Sequence, residues 1–142
     1  MEIILLVVGP THVDYAQKGL ADFSKRLSHY TKFRTESVRD RAAQQAFLKP
    51  GDLLVLLDER GKHLKSMEFA AQLQKWMNSG PKRLVFAVGD AFGFDPDFRS
   101  MAHYELALSM MTFPHDLVRL LFAEQLYRAF AILRNEPYHH EG

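Results

Sequence analysis

Three short stretches of this 142-residue chain carry residue types that could hold a ligand and move a proton. Gly89-Asp90-Ala91-Phe92-Gly93 places two glycines four positions apart, directly after the apolar run Leu84 to Val88. Glycine lets backbone approach a ligand closely, so Gly89 and Gly93 suit a binding loop; an ordinary strand-to-helix turn has the same composition. Thr112-Phe113-Pro114-His115 sets an imidazole at the start of a long apolar-rich segment, and Tyr138-His139 sets a phenol and a second imidazole near the end. His115, Tyr138 and His139 are residues that donate hydrogen bonds or carry protons. Helix-start packing is the competing role for His115, and a solvated tail is the competing role for His139. Arg119 and Arg128 are nine positions apart, about 900° around a helix, so they face opposite sides. One can then meet a phosphate while the other pairs with an acid, such as Glu124 or one across the dimer; a plain ion pair is the competing role for either arginine.

These residues need a frame. Ile3 to Val8, Leu53 to Leu57, Leu84 to Val88 and Leu106 to Met110 are apolar runs, the pattern of strands buried on both faces of a parallel sheet. Phe33 to Val38 alternates polar and apolar residues and reads as an edge strand. Helical spacing predicts helices over Asp14 to Ser28, Ala42 to Leu48, and a segment capped by Ser66 that carries Phe69, Leu73, Trp76 and Met77. Asp95-Pro96 opens a short helix reaching to about His103. Asp116 is positioned to cap the last helix, Leu117 to Leu133, which Asn135 and Pro137 close. Gly61 is expected to open a loop. Strands alternating with helices give an α/β domain with a mostly parallel sheet and helices on both faces. Ligands on such sheets bind beyond the carboxyl ends of the strands, which selects Leu57-Asp58, Gly89-Asp90 and Met111 to Pro114.

Composition narrows the chemistry. With 18 Lys+Arg against 17 Asp+Glu the net charge is +1. Contact with nucleic acid must come from a local patch, such as Lys18, Lys25, Arg26 and Lys32, or from one assembled across two chains. No cysteine is present, which removes disulfides and thiolate chemistry. No residue cluster makes a convincing metal site, and the expected metal set is none. The apolar start ends at Gly9-Pro10, too early for a signal peptide or a spanning helix, so a soluble, cytoplasmic protein with no membrane contact is expected. No Walker loop or Gly-x-Gly-x-x-Gly follows the first strand, which leaves a phosphotransferase without support.

Taken in order, Leu57-Asp58-Glu59-Arg60-Gly61, Val88-Gly89-Asp90-Ala91-Phe92-Gly93, Leu108-Ser109-Met110-Met111-Thr112-Phe113-Pro114-His115, Arg119, Glu124-Gln125-Leu126-Tyr127-Arg128-Ala129 and Asn135-Glu136-Pro137-Tyr138-His139 resemble a known family. It is the SPOUT-class ribosomal RNA large-subunit methyltransferases, which methylate N3 of a pseudouridine in 23S rRNA. The resemblance covers essentially the whole chain and is strongest from Leu53 onward. It implies a C-terminal trefoil (α/β) knot, a homodimer, S-adenosylmethionine as cofactor and the assembled ribosome as substrate. It also implies that Leu57, Gly89 and the run Leu108, Ser109, Met110, Met111, Thr112 and Phe113 contact the cofactor, the run largely through backbone groups. His115, Arg119, Arg128, Tyr138 and His139 would lie near the accepting base or the RNA backbone.

The accepting nitrogen carries a proton that must leave, so a base, or a cation beside the anionic ring, would assist. The run Leu108 to Phe113 offers apolar walls for an adenine; a plain core reading is favoured for Met110 and Met111, since methionine fills core gaps. Trp76 and Tyr127 read as core or dimer anchors. The apolar surface of Leu117, Val118, Leu120, Leu121 and Phe122 exceeds what one core needs, and part of it is expected at the dimer interface. Two departures from the family pattern stand out. Asp90 occupies the place of a second glycine, where its carboxylate would either weaken cofactor binding or hold a ribose hydroxyl or ammonium group. The stretch from Arg34 to Leu48 is shorter than in many relatives. Asp90 keeps a second reading open, a non-catalytic ribosome- or RNA-binding protein that retains the fold.

Overall fold

The computed structural model describes residues 1–140. The chain runs β1 (Glu2–Val8), α1 (Asp14–Leu27), β2 (Lys32–Val38), α2 (Arg41–Phe47), β3 (Leu53–His63), α3 (Ser66–Asn78), β4 (Arg83–Val88), α4 (Pro96–Ser100), β5 (Tyr104–Ala107) and α5 (His115–Leu133). All five strands pair in parallel, in the order β2-β1-β4-β3-β5. The apolar runs are buried because each central strand is covered twice. Ile3, Leu5, Val7, Val55, Leu57, Leu84, Phe86 and Val88 face a core shared with α1, α3 and α5. Leu6, Leu54, Leu56, Val85 and Ala87 face a smaller core containing Phe98 of α4, with Phe47 of α2 packed at its margin. The expected α/β architecture with helices on both faces is therefore present. Trp76 lies in the larger core, and Tyr127 packs at its margin against Phe23, Tyr30 and Tyr138.

The third strand departs from expectation. Gly61 does not open a loop; β3 continues through it to His63. The ladder with β5 breaks between Leu57, paired with Leu106, and Lys62, paired with the same residue, so Asp58 to Gly61 bulge out at the carboxyl end. A Cβ at Gly61 would lie 2.6 Å from the Glu105 carbonyl, so only glycine lets the returning strand lie this close. The fifth strand begins earlier than the apolar run suggested, at Tyr104, and ends at Ala107, which frees Leu108 for the following loop.

Helix ends also differ. Ser66 is the first residue of α3 rather than its cap; its hydroxyl donates to Gln125 of α5 at 2.7 Å, while Glu68 accepts from the Lys65 amide at 2.8 Å. Asp116 lies inside α5 and accepts from the amides of His12 and Val13, both at 2.8 Å, tying the start of α1 to the start of α5. At the far end of α5 Asn135 takes φ 55° and the Glu136 amide donates to Ala131 at 2.9 Å, a left-handed stop of the kind the sequence predicts.

Candidate active site

The carboxyl ends of β3, β4 and β5 open onto one cleft of about 480 Å³. Its walls come from the β3 bulge (Leu57, Asp58, Glu59, Arg60), the loop after β4 (Gly89 to Phe94) and the segment after β5 (Leu108, Ser109, Met111, Thr112, Phe113), with His115 and Val118 from α5. Parallel strands end on the same edge of the sheet, so three loops distant in sequence must meet there. The Thr112 hydroxyl ties the segment after β5 to the β3 bulge by donating to Glu59 at 2.7 Å, and Ser109 braces that segment by accepting from the Met111 amide at 2.9 Å.

The loop after β4 is tight. A Cβ on Gly89 would stand 2.8 Å from the Gly93 carbonyl oxygen and 2.9 Å from its carbon. Gly93 itself takes φ 85°. The first glycine is thus demanded by the loop's own backbone and the second by its conformation. Asp90 does not adopt a left-handed backbone; among the described residues Asn135 alone does so outside glycine. Its carboxylate is held at both oxygens by Arg41, Nε to Oδ2 at 2.9 Å and NH2 to Oδ1 at 3.0 Å, and Oδ1 also accepts from the Phe92 amide at 2.8 Å. Burial raises the Asp90 pKa, but the Arg41 and Phe92 hydrogen bonds outweigh it and hold the group below the ordinary carboxylate range. The carboxylate is thus already paired within the protein, while Asp90 still lines the cleft. Arg41 gave no signal in the sequence: it lies about fifty residues away, and no spacing rule links a helix-start arginine to a distant loop.

On the opposite wall, Asp58 is held by Arg99 at 2.6 Å and by the Arg60 amide at 2.9 Å. Burial acts against these bonds, yet its pKa is lowered as well. Glu59 and the exposed Phe92, at 89% exposure, complete the rim.

Of the residues singled out as cofactor contacts, Leu57, Gly89, Asp90, Gly93, Leu108, Ser109, Met111, Thr112 and Phe113 line this cleft. Met110 does not; it is 83% exposed, and neither it nor Met111 fills the core, contrary to the core reading. Of the five residues expected near an accepting base, only His115 lines the cleft.

Arg119 is a correction. It is 3% exposed, turned under the sheet edge, and donates to the carbonyls of Val8 at 2.9 Å and Gly9 at 3.0 Å and to the Thr11 hydroxyl at 2.9 Å. Burial lowers its pKa, with Asp116 opposing. A guanidinium so enclosed clamps the end of β1 to α5 and has no path to a phosphate. Arg119→Ala should leave those acceptors unpaired and lower stability by about 3 kcal/mol or more, read as a shift in urea midpoint at unchanged m-value. A loss below about 1 kcal/mol would show that the clamp is idle.

Arg128, Tyr138 and His139 form a second cluster. Arg128 grips Glu124 at 2.6 and 3.1 Å, and Tyr138 donates to the same carboxylate oxygen at 2.9 Å. Burial, with that hydrogen bond, raises the Tyr138 pKa, so its phenol is a neutral donor rather than a base. An arginine only donates, so His139 Nδ1 accepts from Arg128 at 3.0 Å and the proton of a neutral ring sits on Nε2, which is buried and unpaired. His115 and Arg128 are thirteen residues apart on one helix, about 20 Å at 1.5 Å per residue. The two clusters therefore do not meet within one chain.

Comparison with known proteins converges on one family. The family model described as "Predicted SPOUT methyltransferase" matches residues 1–139. A protein of Parabacteroides distasonis named "Ribosomal RNA large subunit methyltransferase H" is 44% identical, covering 99% of this chain and 100% of its own length. A protein of the same name from Acetivibrio thermocellus is 39% identical, covering 98% and 99%. The first alignment spans 157 positions, more than the 142 residues of this chain, so this chain lacks residues that its relative carries. Among solved structures, a probable methylase family protein from Haemophilus influenzae superposes with TM-score 0.56 at 13% identity, over 94% of this chain and 66% of the other. The SpoU methyltransferase AviRb from Streptomyces viridochromogenes, solved with AdoMet, superposes with TM-score 0.50 at 14% identity, over 94% and 58%. At these identities the superpositions show a shared fold.

Proposed function

The chain belongs to the SPOUT methyltransferase family, and from that premise we propose that it methylates N3 of a pseudouridine in 23S rRNA of the assembled ribosome, using S-adenosylmethionine and working as a homodimer in the cytoplasm. The observation that carries this reading is the single cleft at the ends of β3, β4 and β5, built from the segments that the family likeness singled out.

The residues present fit the cofactor. A cleft of about 480 Å³ lies within the range that encloses a ligand of this size. Leu57, Leu108, Phe113 and Val118 offer apolar walls for an adenine, the backbone of 108–112 offers polar groups for its edge, and the glycine pair keeps the floor free of side chains. When bound, S-adenosylmethionine supplies an electrophilic methyl group on a sulfonium with its own leaving group. The protein's work is then to align acceptor and donor and to manage the acceptor's proton. His115 stands at the cleft and is placed to take that proton or to hydrogen-bond the ring. Tyr138, its O–H given to Glu124, and His139, held by Arg128 with its Nε2–H buried, would complete the site from the other protomer by turning outward when substrate binds. Half-buried Leu117 and Leu121 on α5, with exposed Val13 and Tyr15 at the start of α1, leave an apolar surface that a second copy would cover. The C-terminal segment, passing from β5 through the cleft wall into α5, is the part that would thread the knot.

Asp90 prompted the non-catalytic reading, but Arg41 sequesters its carboxylate and the cleft stays open, which favours turnover. No helix among the described residues is long and apolar enough to cross a membrane.

Two measurements test the assignment. Titration calorimetry should show S-adenosylmethionine binding at micromolar affinity. Ribosomes from cells lacking this protein should accept labelled methyl groups from the purified enzyme at one 23S position. Absence of binding, or binding without transfer to ribosomes, would refute it.

A further inference from the structure

Loop 89–95 contains two glycines and is held internally by little: the Gly93 amide donates to the Asp90 carbonyl at 3.0 Å, and the Phe92 amide donates to the Asp90 side chain. What holds it in place comes from α2. Arg41, the first residue of that helix, spends its guanidinium on three separate loop residues. It takes Asp90 in a two-pronged pair, reaches the Gly93 carbonyl at 3.1 Å, and reaches Asp95 at 2.6 Å. One turn further, Gln44 is 2% exposed and donates to the Val88 carbonyl at 2.9 Å and, more weakly, to that of Leu6 at 3.4 Å. Residues three apart share a helix face, so α2 grips the backbone on both sides of Gly89. Asp40 caps the helix by accepting from the Ala43 amide at 2.8 Å, which fixes the point from which Arg41 reaches out.

We propose that Arg41 is a positioning residue for the cofactor loop, acting chiefly through Asp90, with Gln44 as its second anchor. The proposal rests on the cofactor reading above. Two peculiarities of this chain belong together in it. The connection from β2 to α2 is only Arg39 and Asp40, in the stretch that the family likeness leads one to expect is short, and it brings the start of α2 beside the loop. Asp90, at the place where the family likeness leads one to expect a glycine, supplies the carboxylate that Arg41 needs. A planar fork meeting a carboxylate fixes orientation as well as distance, which a point charge on a flexible stem does not. Ordering the loop before the ligand arrives removes a cost that binding would otherwise bear.

The test uses Arg41→Ala, Arg41→Lys, Asp90→Asn and the Arg41→Ala/Asp90→Asn pair in the full chain. Each is read by S-adenosylmethionine titration, by hydrogen exchange of the ligand-free protein and by thermal melting. Arg41→Ala should weaken binding about tenfold or more by leaving the loop unordered. Exchange should rise at amides 89–95 and stay unchanged in β1 and β4. In methyl transfer to ribosomes, KM for the cofactor should rise while kcat at saturation stays within about twofold. Arg41→Lys should fall between the alanine variant and wild type. The double variant should bind no worse than Arg41→Ala alone, because the two side chains act as one unit. Wild-type affinity in Arg41→Ala, additive losses in the double variant, or loss of binding only with a collapse in melting temperature would overturn the proposal. Failure of the wild-type protein to bind would instead refute the cofactor reading, and the exchange measurement, which needs no ligand, would still report on the grip.

Discussion

Gly89→Val is expected to abolish measurable S-adenosylmethionine binding while the protein stays folded. The physical reason is more local than the sequence suggested. From sequence, the added side chain is expected to fill space the ligand needs. In the structure the first obstacle is protein: the Cβ alone would stand 2.8 Å from the Gly93 carbonyl oxygen, before any γ-carbon is added. The backbone at Gly93 cannot easily retreat. It sits at φ 85°, bonds back to Asp90 through its amide, and is gripped by Arg41 at its carbonyl. The loop must open, and the cleft loses the shape set by its narrowest turn. Losing a pre-formed pocket wall should cost at least a hundredfold in affinity, about 2.7 kcal/mol. The sheet should survive, because Leu84 to Val88 are buried on both faces and lie before the substituted residue. Far-UV circular dichroism and a melting curve check the fold, and calorimetry reads affinity. A dissociation constant within threefold of wild type would mean that the loop is not the cofactor's floor.

The central strands were legible because burial on both faces leaves an uninterrupted apolar run, and the parallel topology then placed the three strand ends on one edge. The cleft followed from that rule and needed no contact information. The second half of β3 was not legible. Beyond the bulge Lys62 and His63 are exposed, so β3 there carries no apolar pattern, and Gly61 reads as a breaker when it serves a close strand contact. Polar residues were misread for a related reason. Ser66 and Asp116 have the composition and position of helix caps, but each bonds to a distant element, Gln125 for one and the His12 and Val13 amides for the other. Arg119 was assigned to RNA by helix facing and family likeness, neither of which senses burial; three oxygen acceptors around the end of β1 make burial tolerable instead. Arg41 was invisible, since its significance depends on a loop that only folding brings near.

Mixing two inactive variants should restore methyl transfer, and this is the sharpest consequence of the geometry of α5. His115 lines the cleft at the helix start, whereas Arg128, with Tyr138 and His139 packed on it, lies about 20 Å further along the same helix. A rigid, buried helix cannot fold back to join them, so a site that uses both must borrow the tail of a second protomer. Within its own chain the tail is held by α5, with the Tyr138 phenol donating to Glu124, and the one donor left over is the buried Nε2 of His139, which has no acceptor among the described residues. One variant, Gly89→Val, keeps the tail and loses the cofactor floor. The other, truncated before Tyr138, keeps the cleft and loses the tail. The truncation removes the edge contact of Tyr138 with Tyr127 at 4.8 Å and its bond to Glu124, a modest loss that should spare the apolar α5 surface where dimerisation is expected. Each homodimer should bind ribosomes with at most a trace of turnover. After subunit exchange at equal concentration, half the dimers are mixed, each with one intact cleft facing one intact tail, so activity should return to about a quarter of wild type. Native mass spectrometry confirms that mixed dimers form, and labelled methyl transfer to ribosomes reads the recovery. Mixed dimers without recovery would mean that the tail serves its own chain's cleft or none. Full activity in the truncated homodimer would remove the tail from the site altogether.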